Sequence, residues 1–321
     1  MSIVRRIFPS DIDALRPRLA CEITPAGVLA ARPGPVAEVG QAQDVVTHFA
    51  PLRMGVLVPG LKTPAMTDRA AVSSAIGQAL EPIAERTKKV TIVVPDAAVR
   101  VLLLDFDTLP AKTADVLPIL RFRLKKLVHF DVEDAAISWQ VLPKNGAEAL
   151  VRTVVAVMPA AVRAEYEDAV REAGYEPGAM LSSSLAALAA VTGEEAALLV
   201  NRNANCVTTA IARGSQLLLF RTIELGESSL DGTNGEASET AAIAELQQSV
   251  SVAMAYYEDT LASTAHTIYS VGPGGAGELD RLLALPGVRV RDLIPSRDSS
   301  GAGTPSATTG MLAPVVGALA S

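Results

Sequence analysis

The hydrophobic pattern of the chain falls into two halves that share one order of elements. In the first half, the strand-like runs LACEI, GVLAAR and VAEVG precede a helical stretch at 66–87 and the continuous apolar run KKVTIVVPD. In the second half, the runs AALLVN, CVTTAIAR and QLLLFRTIEL precede a long helix and the strand HTIYSVG. Short apolar runs bounded by Gly, Pro and Asn predict strands. The repeated order therefore predicts a duplicated α/β fold.

The predicted helices carry recognisable starts and apolar stripes. Thr67 or Asp68 is a suitable N-cap for the first helix, and the run Ser182–Ser184 is typical of a helix start rather than of a nucleophile. The sequence MLAPVVGALAS, at 311–321, predicts a short apolar helix at the C-terminus. In the long helix of the second half the apolar stripe consists of Ile243, Leu246, Val250, Met254, Tyr257 and Leu261.

Between KKVTIVVPD and the later helix SSSLAALAAV, the pattern predicts a small α+β module. It contains the strand VRVLLLDF, the helix TADVLPILRFRLKKLVHF, two further strands, AAISWQVLP and ALVRTVVAVMP, and a helix closed by Gly174. Pro118 is tolerated in the first of these helices only if it lies in the first turn. The module is therefore predicted to be an insertion into the first half.

The segment 120–130, LRFRLKKLVHF, is basic and amphipathic in a chain whose net charge is −7. Three interpretations of this segment are open: a nucleic-acid-binding segment, a membrane-surface helix, and the solvated face of an ordinary packed helix. The solvated face is favoured because long basic side chains cover apolar surface, and contact with an acidic protein partner comes next. Helical spacing turns Leu120, Leu124 and Leu127 towards a small sheet, and Arg121, Lys125 and Lys126 outward.

Composition narrows the function classes. Of 321 residues, 49% are hydrophobic and 20% are charged, which is a globular composition. The negative net charge argues against a general nucleic-acid binder, since such proteins need positive charge to displace counterions. No run of about 18 apolar residues predicts a spanning helix, and the opening residues do not resemble a signal peptide. A cytoplasmic location is therefore expected.

Cysteine and histidine contents predict neither a disulfide framework nor a metal site. Cys21 and Cys206 are far apart in sequence and are expected to be reduced thiols. His48, His129 and His266 are scattered, so a zinc site or a His-based catalytic triad lacks its usual residues. We predict no catalytic residues and no metal ligands.

The segment 90–143 resembles the PilM family, cytoplasmic type IV pilus assembly proteins with the actin-like ATPase fold that are related to FtsA. The phrase HFDVEDAAISWQVL carries the resemblance, together with VVAVMP, EAGYEP, GSQLLLFRTIELG, YYED, SVGPGGAGEL and APVVGAL. Each piece is short, but their order and spacing extend the likeness over residues 19–320. The resemblance implies two lobes of ribonuclease H-like α/β fold around a nucleotide cleft. The implied bounds are 1–97 with 176–190 for the first lobe, 98–175 for the inserted α+β subdomain, 191–310 for the second lobe and 311–321 for the C-terminal helix.

The resemblance also implies a function and partners. A PilM-like protein is a scaffold that binds the N-terminal cytoplasmic peptide of the inner-membrane protein PilN. We therefore expect a cytoplasmic adaptor at the inner-membrane face, tied to the membrane only through partners, that serves pilus biogenesis and twitching motility. Other pilus assembly proteins and a second copy of the chain are further expected partners, and nucleic acid is not. A type II secretion component similar to GspL, or a working actin-like ATPase, is the alternative.

The two phosphate-binding turns that the resemblance implies depart from the family pattern of Asp-x-Gly. The first turn has Glu22 and Thr24 in those places, and Pro25 then removes a backbone donor. The second has Asn201 and Asn203, so the amide replaces a carboxylate that would orient hydrated Mg²⁺. Arg202 between them is either a phosphate contact or a solvated turn residue.

The third nucleotide element, by resemblance, is the loop Ser270–Gly275. Gly272, Gly274 and Gly275 would let adenine and ribose lie close to the backbone, although the same loop suits a plain turn from strand to helix. With two of three elements degraded, we expect no ATP hydrolysis and no required cofactor. ATP with Mg²⁺ is the ligand that a residual site would take.

Overall fold

Two five-stranded sheets with the same strand order form the framework of the protein. The computed structural model describes residues 17–34, 45–143, 150–203, 205–225, 236–294 and 310–320. The strands are β1 (Leu19–Thr24), β2 (Gly27–Pro33), β3 (Val45–Pro51), β4 (Lys89–Val94), β5 (Arg100–Phe106), β6 (Ala136–Val141), β7 (Val151–Met158), β8 (Glu176–Ser182), β9 (Ala196–Arg202), β10 (Cys206–Arg213), β11 (Gln216–Glu224), β12 (Thr267–Val271) and β13 (Arg289–Asp292).

The helices lie between these strands and at the end of the chain. They are α1 (Arg69–Leu80), α2 (Thr113–Leu124), α3 (Ala160–Glu172), α4 (Ser183–Leu188), α5 (Glu236–Leu261), α6 (Gly275–Leu283) and α7 (Leu312–Ala320), with one turn of 3₁₀ helix at Asp96–Ala98.

Each large sheet is a three-stranded antiparallel meander extended by two parallel strands. The first has the order β3-β2-β1-β4-β8 and the second β11-β10-β9-β12-β13. In the first, β4 pairs with β1 and β8 with β4, both parallel; in the second, β12 pairs with β9 and β13 with β12 in the same way. The duplicated α/β fold predicted from the sequence is confirmed.

A third, three-stranded sheet, with the order β5-β7-β6, belongs to the segment between β4 and β8. Side chains alternate across it because successive residues of a strand point to opposite faces. Val155 and Val157 of β7 pack with Leu120 and Leu124 of α2 on the outer face. Val154 on the inner face packs with the core of the first lobe. The inserted sheet therefore has α2 on one side and the first lobe on the other.

Helix α3, which follows the inserted sheet, packs on the first lobe. Its buried residues Val162, Tyr166 and Val170 join the same hydrophobic cluster as β1, β4 and α1, and Gly174 with φ +85° follows its C-terminus. The backbone N–H groups of Ala65 and Met66 donate to the Glu165 carboxylate at 3.0 and 2.9 Å. The bounds 98–175 for the inserted subdomain remain a prediction.

Helix starts follow the expected capping chemistry. Asp68 caps α1, with its Oδ1 accepting from the Ala71 N–H at 3.0 Å. Ser182 caps α4, with its Oγ accepting from the Leu185 N–H at 3.3 Å. Both starts confirm the sequence prediction. In α5 the predicted stripe is largely confirmed, since Leu246, Val250 and Tyr257 are buried in the core of the second lobe.

Three local expectations need correction or qualification. The third strand of the first meander is β3, whereas the run VAEVG at 36–40 lies outside the described residues. Pro118 lies in the second turn of α2 rather than the first. It has no N–H to donate to the carbonyl of Ala114. Both residues are exposed, so water can reach that carbonyl. Leu127 does not face the sheet but is 48% exposed, because α2 ends at Leu124 and the helical spacing ends with it.

The C-terminal helix α7 returns to the first lobe. Val315 and Ala318 pack with Ala20, Leu29 and other residues of the β1–β2 face. Gly317 lies against α4 so closely that an added Cβ would be 1.8 Å from the carbonyl oxygen of Ala186. In the part of the chain that the structure describes, no helix combines the length and the apolar character needed to cross a bilayer.

We expect Gly317→Ala to lower the free energy of unfolding by about 3 kcal/mol, because the methyl group forces α7 away from α4. Urea unfolding monitored by circular dichroism measures this. Gly277→Ala in α6 is the matched control, since an added Cβ there has open space around it and Ala is the better helix former. Equal stability of the Gly317 variant and the wild type would contradict this packing of α7.

Candidate functional site

Five polar side chains form a buried network between the two lobes: Glu22, Asp96, Ser183, Ser184 and Asn201, each 3% exposed or less. The Ser183 hydroxyl donates to Glu22 Oε1 at 2.6 Å. The Ser184 N–H donates to Asp96 Oδ1 at 3.1 Å, and its hydroxyl donates to Asp96 Oδ2. The Asn201 amide lies 2.9 Å from Ser183 Oγ, 3.0 Å from Ser184 Oγ and 3.3 Å from Asp96 Oδ2. Asn201 thus connects the second lobe directly to Asp96 and, through Ser183, to Glu22.

The fold brings these residues together from four elements. Glu22 lies near the carboxyl end of β1, and Asp96 follows directly after β4, which is parallel to β1. Ser183 and Ser184 form the first turn of α4, and Asn201 lies on β9. Carboxyl ends of parallel strands are the usual place for ligand sites in α/β sheets. The network occupies that place with the protein's own side chains.

Burial changes the protonation of the two acids. Removal from water raises the pKa of Glu22 from 4.5 to about 8; the hydrogen bond from Ser183 opposes the rise and the charge of Asp96 adds to it. Burial also raises the pKa of Asp96, against the hydrogen bonds from Ser184. Among the described residues, Glu22 Oε2 and Asn201 Oδ1 have no hydrogen-bond partner. Burial therefore favours the protonated form of Glu22, because an ionised carboxylate with one oxygen lacking a donor is costly when buried.

A hydrogen bond within the β1–β2 hairpin holds the first predicted phosphate turn. Thr24 donates its hydroxyl to the Gly27 carbonyl oxygen at 2.8 Å, within the β1–β2 hairpin. Pro25 and Ala26 form the tip of that hairpin. Thr24 therefore does not join Glu22 in the network.

The second predicted turn contributes a buried cation. Arg202 is 4% exposed, so the expectation of a solvated turn residue is wrong. Its guanidinium donates to Glu278 Oε1 at 2.9 Å and to the carbonyl oxygen of Pro273 at 2.7 Å. The bond from Arg202 holds the pKa of Glu278 below its usual range. Asn203, also buried, closes the hairpin through its N–H, which donates to the Cys206 carbonyl at 2.9 Å.

The glycines of the third element lie against protein. Gly272, Gly274 and Gly275 have positive φ values and turn the chain from β12 into α6. A Cβ on Gly272 would lie 2.1 Å from the Arg202 carbonyl oxygen, and the Gly272 N–H donates to the Gly310 carbonyl at 2.8 Å. A Cβ on Gly274 would meet the side chains of Glu278 and Arg202. The space that these glycines leave is therefore filled by backbone and by an ion pair.

The sequence-predicted residues thus separate into two groups. Glu22 and Asn201 meet in the buried network, and Gly272 and Gly274 meet around Arg202. Among the residues described, no side-chain hydrogen bond joins Thr24, Asn203 or Gly275 to either group. Sequence reasoning missed Asp96, Ser183, Ser184 and Glu278. Asp96 had a signal, because it ends the buried run KKVTIVVPD where parallel strands place ligand-binding side chains.

A groove of about 350 Å³ lies between the inserted sheet and the first lobe. Strands β6 and β8 line it, and each is the edge strand of its sheet. The groove has space on one side because the inner face of the inserted sheet has small side chains there: Ala136, Ser138 and Ala156. Met180 and Leu181 provide apolar surface on the opposite side. The ion pair of Arg163 with Glu167, 2.7 Å apart on α3, also lines the groove.

Metal-ligand residue types and cysteines were two further candidate chemistries in the described residues. No group of three or more His, Cys, Asp or Glu side chains is placed to hold a metal ion there. Cys21 and Cys206 are buried free thiols. Burial raises the pKa of Cys21 to about 12 and raises that of Cys206 as well. These thiols are therefore protonated and unreactive at neutral pH.

Three solved structures are similar to the chain to different degrees. A chain of a PilM–PilN type IV pilus biogenesis complex is similar with a TM-score of 0.68 and 19% identity, over 95% of this chain and 98% of that one. The cytoplasmic domain of EpsL, an inner-membrane component of the type II secretion system of Vibrio cholerae, gives a TM-score of 0.42 and 13% identity, over 65% and 71%. The ethanolamine utilization protein EutJ from Carboxydothermus hydrogenoformans gives 0.46 and 8%, over 98% and 94%.

The resemblance predicted from sequence motifs is confirmed as a likeness of fold: the chain has the two-lobed, actin-like α/β fold that the PilM-containing complex shares. No family model matches the sequence. No curated protein matches it either.

Proposed function

We propose that the protein is a non-catalytic adaptor of a type IV pilus or related secretion machine. In this proposal it binds the N-terminal cytoplasmic peptide of a PilN-like inner-membrane protein in the groove between β6 and β8. The groove itself carries the proposal, because it combines apolar surface with two free sheet edges. An extended peptide can add to such an edge as a strand and place alternate side chains in the groove. The likeness to a chain of a PilM–PilN complex supports the choice of partner.

The dimensions of the groove suit a short peptide rather than a folded domain. A volume of about 350 Å³ holds a few side chains. Met180 and Leu181 provide an apolar surface for anchor side chains of the peptide, and Arg163 and Glu167 provide polar groups on α3. Backbone hydrogen bonds to an edge strand would supply affinity, and the apolar surface would supply specificity.

Filling the groove is expected to weaken peptide binding. Ser138→Trp places an indole where the peptide would lie, and we expect at least about a tenfold rise in Kd, equivalent to about 1.4 kcal/mol. Fluorescence anisotropy with a labelled peptide of the PilN-like protein measures it. Ser74→Trp on the exposed face of α1 is the control, with the same side chain added outside the groove. The proposal would be contradicted if the wild type did not bind the peptide. It would also be contradicted if the Ser138 variant bound the peptide as tightly as the control variant.

The proposal also holds that the cleft does not hydrolyse ATP. The residues do not fit a magnesium nucleotide, because Asn201 has no charge for the metal and is bonded within the network. Arg202 and Gly310 lie where the glycine loop would receive adenine and ribose. Isothermal calorimetry with Mg-ATP and a phosphate-release assay test this point. Saturable heat together with phosphate release would establish the alternative, a working actin-like ATPase.

A further inference from the structure

The outer end of α2 carries a surface that the proposed function does not use. We propose that Phe122, Arg123, Lys126 and Leu127, called here the α2 tip, bind the surface of an anionic phospholipid membrane. This inference goes beyond peptide docking, since the α2 tip lies on the side of the inserted sheet opposite the groove. It depends on the α2 tip alone and not on what occupies the groove.

Two large apolar side chains protrude at the α2 tip. Phe122 is 64% exposed and Leu127 is 48% exposed, although the neighbouring Leu120 and Leu124 are fully buried against the inserted sheet. Exposure of this degree shows side chains that project into solvent rather than line a concave site. A projecting Phe and Leu suit the boundary between headgroups and acyl chains, where amphipathic helices bury their apolar face. A short peptide would instead need a groove or a free sheet edge.

Two basic side chains, Arg123 and Lys126, belong to the same end of α2. The Lys126 ammonium lies 5.0 Å from the centre of the Phe122 ring, and the Arg123 guanidinium lies 5.5 Å from the centre of the Phe106 ring. Among the described residues neither Arg123 nor Lys126 forms a salt bridge, whereas Lys125 pairs with Glu133. Phe106 is buried, so Lys126 alone lies beside an exposed ring. A basic residue in that position can contact lipid phosphates while the ring enters the interface.

Charge distribution favours one orientation on the membrane. Residues 120–130 contain four Arg or Lys and no Asp or Glu, while the whole chain has a net charge of −7. An anionic surface therefore attracts the α2 tip and repels the remainder of the molecule. Two cations and two apolar side chains give weak binding alone. Such a contact contributes most when a second tether already holds the protein near the bilayer.

Vesicle sedimentation with the full chain tests the proposal. We expect the wild type to partition onto vesicles with about 30% phosphatidylglycerol in phosphatidylcholine and to show at least about fivefold weaker partitioning onto pure phosphatidylcholine. The double change Arg123→Gln with Lys126→Gln should weaken anionic partitioning on the order of 20-fold, since each basic residue near such a surface is worth about fivefold. Phe122→Ser should lower it about fivefold. The matched control Arg86→Gln with Arg289→Gln removes two exposed cations elsewhere and should change it less than about twofold.

Three outcomes would overturn the proposal: no partitioning by the wild type, equal partitioning onto both vesicles, or equal loss in the matched control. A photoreactive amino acid at position 122 gives a second measurement in cells. Cross-links to lipid support the membrane contact, and cross-links to protein alone identify a protein partner instead and overturn it. Peptide titration of the Arg123 and Lys126 variant separates the two proposals. We expect its Kd for the PilN-like peptide to be unchanged, so failure of one proposal leaves the other intact.

Discussion

Asn201→Asp is expected to lower the free energy of unfolding at pH 7 by about 3–5 kcal/mol, even though it restores the acidic residue that the actin-like pattern has at this turn. The amide of Asn201 donates into an array of acceptors: Ser183 Oγ, Ser184 Oγ and Asp96 Oδ2. The two hydroxyls already donate to Glu22 and Asp96. A carboxylate at position 201 would therefore find no donor and would lie beside a second acid in a buried site.

The pH dependence of this variant identifies the cause. A new buried carboxyl has a raised pKa, so its cost is absent when it is protonated and grows as the pH rises above the value of an unfolded Asp, about 3.9. We expect the stability difference from the wild type to shrink at pH 5 and to be largest at pH 7 and above. Urea unfolding at several pH values measures it. A variant as stable as the wild type at pH 7 would show that the network does not depend on the Asn201 amide.

The same variant tests whether the missing carboxylate at position 201 is enough to explain why the cleft does not fit Mg-ATP. We expect Asn201→Asp to gain no Mg-ATP binding, because Arg202 and the backbone at Gly272 and Gly310 still fill the glycine loop. Asn201→Ala is the control that removes the donor without adding charge, and it should destabilise the protein less. Nucleotide binding gained by the Asp variant would contradict the proposal that the glycine loop does not fit a magnesium nucleotide.

The sequence predicted the framework well because each large sheet repeats a local pattern. Apolar runs of strand length separated by Gly, Pro and Asn indicate a meander, and each observed sheet contains one. The parallel pairing of the strands that extend each meander was not predicted. Periodicity also placed Leu120 and Leu124 in the core of the inserted subdomain. It failed at Leu127, because the spacing of apolar residues does not reveal where a helix ends.

The candidate site was predicted only in part, for a different physical reason. Glu22 and Asn201 were found because each lies in a turn motif with a known role in the fold. Asp96, Ser183 and Ser184 contribute through contacts between residues 88 to 161 positions apart along the chain. The local sequence around Ser182–Ser184 does not distinguish a helix cap from a residue of the buried network. In the structure Ser182 caps α4, and Ser183 and Ser184 belong to the network. Arg202 looked like a surface residue because its partner, Glu278, is 76 residues away.

Glu22→Gln is expected to remove a large part of the loss of stability between pH 4.5 and pH 8. In the folded protein the pKa of Glu22 is raised from 4.5 to about 8 by burial, with the charge of Asp96 adding to the rise. A raised pKa means that the folded state binds the proton more tightly than the unfolded state. The contribution of Glu22 is therefore complete below pH 4.5, falls as the pH rises, and is lost above about pH 8.

The expected size of this effect follows from the shift in proton affinity. A tenfold change in affinity corresponds to about 1.4 kcal/mol, so the loss across this pH range is at most roughly 5 kcal/mol. The amide of the glutamine variant would keep an oxygen to accept from the Ser183 hydroxyl, as Glu22 Oε1 does. Its NH₂ group would take the position of Glu22 Oε2, which lacks a partner among the described residues, at a smaller cost than a buried charge. At about pH 8.5 the variant should therefore be more stable than the wild type by several kcal/mol.

Chemical unfolding of both proteins from about pH 4.5 to about pH 9 tests this expectation, with Glu258→Gln on the exposed face of α5 as the control. Some slope should persist in the Glu22 variant, because burial raises the pKa of Asp96 in the same direction. Parallel stability curves for the wild type and the Glu22 variant would show that Glu22 is ionised in the folded protein at neutral pH. A flatter curve for the Glu22 variant would instead show that Glu22 holds a proton within the network between the lobes.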